Sequence, residues 1–305
     1  MPFPQLAREL REKRLQPPDG RVRMVLDTDT YNEVDDQFAL AYSLLSPEKL
    51  DVDAVYAAPF HNNRSDGPGD GMRKSYDEIL RFYDLMGRDD RDRVLTGSTE
   101  YLASPDHPVE SAAARDLVER ARHSDDPLYV VAIGAITNVA SAILMDPSLV
   151  ERIVVLWLSG TAYGCPSARE FNLQQDPHAS RLIFDCGVPL VHFPCRRVVT
   201  HLHTTVPELE HYLRGKNALC DALVDIVTDY SRGIFAWSKV IWDLAPVAWL
   251  IDPSWISTDL LPSPALTGEL TWSEDASRHL VRCATFVNRD PVFADVFRKL
   301  AAVEA

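Results

Sequence analysis

The chain of 305 residues reads as an α/β protein: an open, mainly parallel, Rossmann-like sheet flanked by helices, with a mostly helical late region. Three observations predict this. Short β-branched apolar runs alternate with segments of helical periodicity, the pattern of βαβ units. The composition, 46% apolar and 25% charged, is that of an ordinary globular protein with enough residues for a substantial core. No internal repeat, low-complexity tract or glycine-serine linker divides the sequence, so residues 1–305 are expected to form one domain.

The elements follow in order. Residues 1–20 read as a short amphipathic helical extension, stopped by Pro17 and Pro18. Residues 22–26 (VRMVL) are an apolar strand, and the segment from Asp35 onward carries Phe38, Ala41, Tyr42 and Leu45 at helical spacing. Further strands are expected at 51–58, 92–95, 128–133, 153–158 and 188–193. Helices are expected between them at 72–86, 109–123, 137–145 and 177–186. Residues 206–252 read as mostly helical, 265–287 as strands, and 291–302 as a closing helix.

Charge and cysteine content exclude several functions. A net charge of -14 argues against nucleic acid as a partner, because phosphate binding needs a basic surface. No apolar run is long enough to span a bilayer, and the N-terminus lacks the apolar centre and cleavage site of a secretory signal. Five scattered cysteines without a Cys-x-x-Cys pair favour reduced thiols in a cytoplasm and speak against a zinc-thiolate centre.

In open parallel sheets, ligands sit outside the carboxyl ends of the strands. Residues 27–36 (DTDTYNEVDD) form such a loop, with four aspartates and Glu33 within ten positions. Asp35 or Asp36 alone suits a helix cap. The rest of the cluster is not explained that way, since crowded carboxylates repel unless a cation neutralises them. Oxygen-only ligands select a hard ion, Ca²⁺ or Mg²⁺. The loop 159–176 places Glu170 and Asn172 two apart, on one side if extended, as an acceptor and donor for a sugar diol. Asn62 and Asn63, in the polar loop after the second strand, are candidate ligand contacts. Asp243 by itself suits a helix N-terminus and Trp242 a core position.

Together these segments resemble the nucleoside hydrolases, the inosine-uridine family of N-ribohydrolases. LDTDTYNEVDDQFAL resembles the family's N-terminal strand–loop–helix, VAIGAITNVA its central strand and turn, REFNLQQDPHAS its Glu-Phe-Asn segment, and WDLAPVAWLID its late helix. The resemblance implies Ca²⁺ held by Asp29, Asp36, Asp243 and the carbonyl of Ile133. It implies Asp29 as general base toward the attacking water, and Asp35, Glu170, Asn172 and Asn62 or Asn63 as ribose contacts. Asp27 becomes a supporting residue. It further implies nucleoside salvage in the cytoplasm by a homodimer or homotetramer.

Three departures stand out. Five residues, TYNEV, separate Asp29 from Asp35 where the family has three, and Gly164 stands where a ribose-binding asparagine is expected. Trp242 stands where many relatives place a histidine acid, which resembles the purine-preferring branch and suggests stacking on the leaving base. Two other readings compete. VLDTDT resembles the Asp-x-Asp-x-Thr signature of haloacid-dehalogenase-type Mg²⁺ phosphatases, which leaves Asp35-Asp36 and the Glu-Phe-Asn segment unexplained. A relative that binds nucleosides or sugars with calcium but without turnover is the third.

Overall fold

The computed structural model describes residues 3–124 and 126–303. Six parallel strands build the centre: β1 (Val22–Thr28), β2 (Leu50–Ala57), β3 (Val94–Thr96), β4 (Leu128–Ala132), β5 (Ile153–Leu158) and β6 (Leu190–Phe193). Their order across the sheet is β3-β2-β1-β4-β5-β6. The strand Leu280–Val287 extends it parallel to β6, and Ile256–Pro262 closes the edge antiparallel to that strand.

Period-two alternation along each strand loads both faces. Met24 and Leu26 of β1 point into one core with Val131 and Leu156, whereas Val25, Val130 and Val155 point into the other. One face is covered by helices Ala112–Arg122, Thr137–Met145 and Pro177–Asp185. The other is covered by Asp36–Leu44, Pro68–Leu85, Ala218–Ser231, Leu244–Ile251 and Arg289–Ala301. Asp36–Leu44 packs between the sheet and the helices Leu244–Ile251 and Arg289–Ala301, so all its residues are buried. That enclosure explains an apolar helix with little amphipathic contrast.

The predicted elements occur, with three differences. Ile256–Pro262 is a strand lying before the region expected to hold the late strands. Its residues are mostly half-exposed, as suits an edge, so it lacks the continuous apolar run of β4 or β5. Within 206–252, Lys239–Val240 pairs with His203–Thr204 as a two-stranded ladder between helices. The Glu170–Asn172 segment is not extended: Phe171–Gln175 is a helix.

The chain leaves β1 toward β2 on one side, and β4 lies on the other, which makes the β1/β4 boundary the point where strand order reverses. Loops leaving two adjacent strands in opposite directions open a crevice there. The crevice lies between the residues that follow Thr28 and those that follow Ala132.

Candidate active site

The loop after β1 delivers a buried carboxylate cluster. Asp29 is 1% exposed, and Asp35, Asp36 and Asp243 are nearly as enclosed. One carboxylate oxygen from each of Asp35, Asp36 and Asp243 lies within 4.8 Å of the others. Asp243 lies at a helix N-terminus, as its sequence suits, but neither it nor Asp35 caps through its side chain. Each stands at the N-cap position of its helix, Asp36–Leu44 and Leu244–Ile251, with no side-chain cap hydrogen bond. Both carboxylates turn into the cluster instead.

What holds each carboxylate differs. Thr28 Oγ1 donates to Asp36 Oδ1 at 2.6 Å. Asp35 Oδ2 accepts the backbone N–H of Trp242 at 3.1 Å, and its Oδ1 is 3.1 Å from Lys239 Nζ. Both oxygens of Asp29 are buried without a hydrogen-bond partner among the described residues. Gly134, two residues past β4, lies against that side chain: a Cβ there would come 3.0 Å from Asp29 Cγ. Any larger residue here would crowd the Asp29 side chain.

Electrostatics follow from the crowding. Burial, then the neighbouring Asp36, raises Asp29 well above the carboxylate range. Asp36 is pushed up to about 7 by burial and by Asp35. Asp243 is raised by burial and then by Asp36, Asp35 and Asp29. Orphaned buried oxygens among mutually repelling carboxylates form an all-oxygen donor set, which fits a hard divalent cation. Asp27 lies beneath: its Oδ1 accepts Asn138 Nδ2 at 2.7 Å, and burial raises it to about 7.

A cavity of about 230 Å³ opens over the cluster, lined among others by Asp29, Ile133, Glu170, Phe171, Asn172 and Trp242. Asn172 Nδ2 donates to the carbonyls of Ile133 at 2.9 Å and Leu158 at 3.0 Å. Glu170 is the N-cap of the short helix and accepts the N–H groups of Asn172, Leu173 and Gly160. The free acceptor–donor pair expected from an extended segment is therefore replaced by a fixed carboxylate and a fixed amide. The unsatisfied donors of a helix start claim an acidic side chain at its N-cap.

Two expected contacts stand elsewhere. Asn63 is exposed and, with Asn62, lines a wider outer groove. Asn62 Nδ2 donates to Asn32 Oδ1 at 2.7 Å, so Asn32 borders the cavity and Asn62 stands behind it. The polar loop after β2 is long enough for its asparagines to reach residues 30–34 of the expanded loop before they reach the cluster. Gly164 is exposed with open space around its Cα.

Sequence reasoning did not single out Lys239, Cys195 or Arg196. Cys195 and Arg196 line the cavity. Lys239 is 6% exposed. Its burial disfavours the charge, but Asp35 and Glu33 outweigh that, and its pKa is raised. A lysine in an apolar run just before Trp242-Asp243 was the available signal.

The inosine-uridine preferring nucleoside hydrolase family matches residues 24–294 of the chain. A pyrimidine-specific ribonucleoside hydrolase of Klebsiella pneumoniae (strain 342) is 27% identical over 266 residues, 77% of this chain and 81% of the relative. A probable uridine nucleosidase of Arabidopsis thaliana is 26% identical, over 80% of this chain and 79% of its own. Among solved structures, a purine-preferring ribonucleoside hydrolase from Gardnerella vaginalis superposes with a TM-score of 0.74 at 18% identity, covering 92% of this chain and 98% of that one. A plant nucleoside hydrolase gives 0.72 at 20%, covering 92% and 99%. These likenesses match the α/β architecture found here and leave the phosphatase reading without support. The chain is an N-glycosyl hydrolase of the inosine-uridine preferring nucleoside hydrolase family.

Proposed function

We propose that this chain hydrolyses the N-glycosidic bond of ribonucleosides with Ca²⁺ bound at Asp29, Asp36, Asp243 and the carbonyl of Ile133. The observation that carries the reading is the orphaned carboxylate of Asp29, buried among like charges where a divalent ion and a water supply what the protein does not. When bound, calcium would supply positive charge to the cluster and oxygen coordination for the ribose diol and the attacking water.

The protein's own residues do the remaining work. Asp29 takes the proton of the attacking water as general base. Asp35, pinned through both oxygens, and Asn172, pinned by two carbonyls, orient the sugar through their remaining hydrogen-bonding capacity. The carboxylates face the ribosyl cation as it develops and stabilise its charge. Glu170 lines the same cavity as Asp29, Asp35 and Asp36 and adds a further carboxylate to its wall. Asn62 contributes by holding Asn32 at the rim.

Trp242 is half-buried on the cavity wall, where its ring would meet the leaving base. Stacking there favours purine nucleosides. The reading extends to a salvage role in the cytoplasm, carried out by a homodimer or homotetramer with one catalytic unit per chain.

Ribose release from inosine and from uridine, with calcium and with a chelator, tests the proposal. Turnover abolished by chelation and restored by calcium is the expected result. Calcium-dependent nucleoside binding without ribose release would replace it with the non-catalytic reading.

A further inference from the structure

The expanded loop meets a lysine that belongs to none of the segments carrying the family resemblance. Lys239 sits in the short strand Lys239–Val240, held against His203–Thr204. Its ammonium lies 3.1 Å from Asp35 Oδ1 and forms an ion pair with Glu33 Oε2. The ring of Tyr230, 5.8 Å from Nζ, covers another side, and the Tyr230 hydroxyl donates to Glu33 Oε1 at 3.3 Å. A charge this enclosed persists only when it is paired and hydrogen-bonded.

The five-residue spacing supplies the second partner. Asn32 N–H donates to the Asp29 carbonyl at 2.7 Å, closing a turn after which Glu33 reaches Lys239. Arg64 Nη1 donates to the Glu33 carbonyl at 3.0 Å and fixes the turn from outside. Residues 30–34 are thereby tied to the segment that also delivers Trp242 and Asp243.

This arrangement sets Asp35 apart from Asp29 and Asp36. Among the described residues neither Asp29 oxygen has a hydrogen-bond partner, and Asp36 has one hydroxyl on one oxygen. Asp35 spends one oxygen on an ammonium and the other on a fixed N–H. Distance alone groups Asp35 with Asp36 and Asp243. Partnering takes it out of that group, because its charge is already answered.

We propose that Lys239 is a positioning residue, an internal counter-ion that keeps Asp35 out of the metal's ligand set and holds it, with residues 30–34, toward the substrate. The inference rests on the ligand set Asp29, Asp36 and Asp243 adopted under Proposed function. Affinity for a hard cation follows the number and charge of the carboxylates offered to it.

The test is calcium titration of the full-length protein by calorimetry without substrate, alongside steady-state kinetics on inosine. Lys239→Met is expected to bind calcium about tenfold more tightly, because Asp35 is released to the ion and an adjacent positive charge is lost. Its KM for inosine is expected to rise about tenfold, with kcat changed less, since Asp35 leaves its place at the sugar. Lys239→Arg, which keeps the charge, should restore both values. The charge-balanced double variant Lys239→Met/Asp35→Asn should bind calcium within about threefold of the wild type, because neither side chain is a ligand.

Calcium affinity unchanged or weakened in Lys239→Met overturns the proposal. So does a double variant that loses calcium as completely as Asp36→Asn. Should Lys239→Met fail to fold, the double variant, which leaves neither of that pair unpaired, decides alone. Absence of wild-type ribose release would sink the hydrolase reading, while the calcium titrations would still decide the role of Lys239.

Discussion

The side-chain amide of Asn172 donates to the carbonyl of Ile133 across 2.9 Å, joining the helix after β5 to the end of β4 at the edge of the acidic cluster. The same amide holds the Leu158 carbonyl at 3.0 Å. One buried side chain thus fixes the ends of two neighbouring strands. Asn172→Ala leaves both carbonyls without that donor and should cost about 1–3 kcal/mol in stability. Urea denaturation measures it, and a stability change near zero would show that other donors replace the amide.

Asp36 carries the cluster's link to Thr28. Asp36→Ala should abolish calcium binding by calorimetry and lower turnover on the order of 10²–10³-fold or more, the scale of one preorganised electrostatic group. Retained calcium affinity in this variant would remove Asp36 from the ligand set.

Trp242 lines the cavity and packs partly against the core, while its backbone N–H holds Asp35. Substitution by alanine preserves the backbone donor and removes the ring. Purine turnover should fall about tenfold more than pyrimidine turnover, the worth of one apolar contact with the leaving base. Equal losses on inosine and uridine would contradict a stacking role.

Stability should respond to pH and metal together. Asp27 and Asp36 titrate near 7 in the folded chain, whereas an unfolded aspartate titrates at about 3.9. Between those values the metal-free fold keeps protons that the unfolded chain has lost. Their contribution to stability is complete below about pH 4 and lost as pH rises through about 7. A divalent ion that replaces protons in the cluster reverses the trend. The rise in Tm on adding calcium should therefore grow from pH 5 to pH 8, and a rise independent of pH would separate metal binding from these carboxyls.

Much of the architecture was legible because it depends on local pattern. β4 and β5 are continuous apolar runs because parallel strands are buried on both faces, and Thr137–Met145 falls where its periodicity places it. The edge strand Ile256–Pro262 was not legible, since half-exposed residues leave no comparable signature. The segment at Glu170 misled for a related reason. A residue spacing of two has meaning only once the backbone is known to be extended, and here a helix begins at Phe171.

For the site, the sequence by itself determined that four aspartates and a glutamate crowd one strand-to-helix loop, and that such crowding calls for a cation. That much follows from charge and chain connectivity. Tertiary structure alone decided which carboxylates remain available. Lys239, some two hundred residues from the loop, answers Asp35, while Asp29, with Gly134 against it, has no hydrogen-bond partner among the described residues. The physical reason is that a carboxylate's role depends on which donors surround it, and those donors arrive from elements that only the folded sheet brings together.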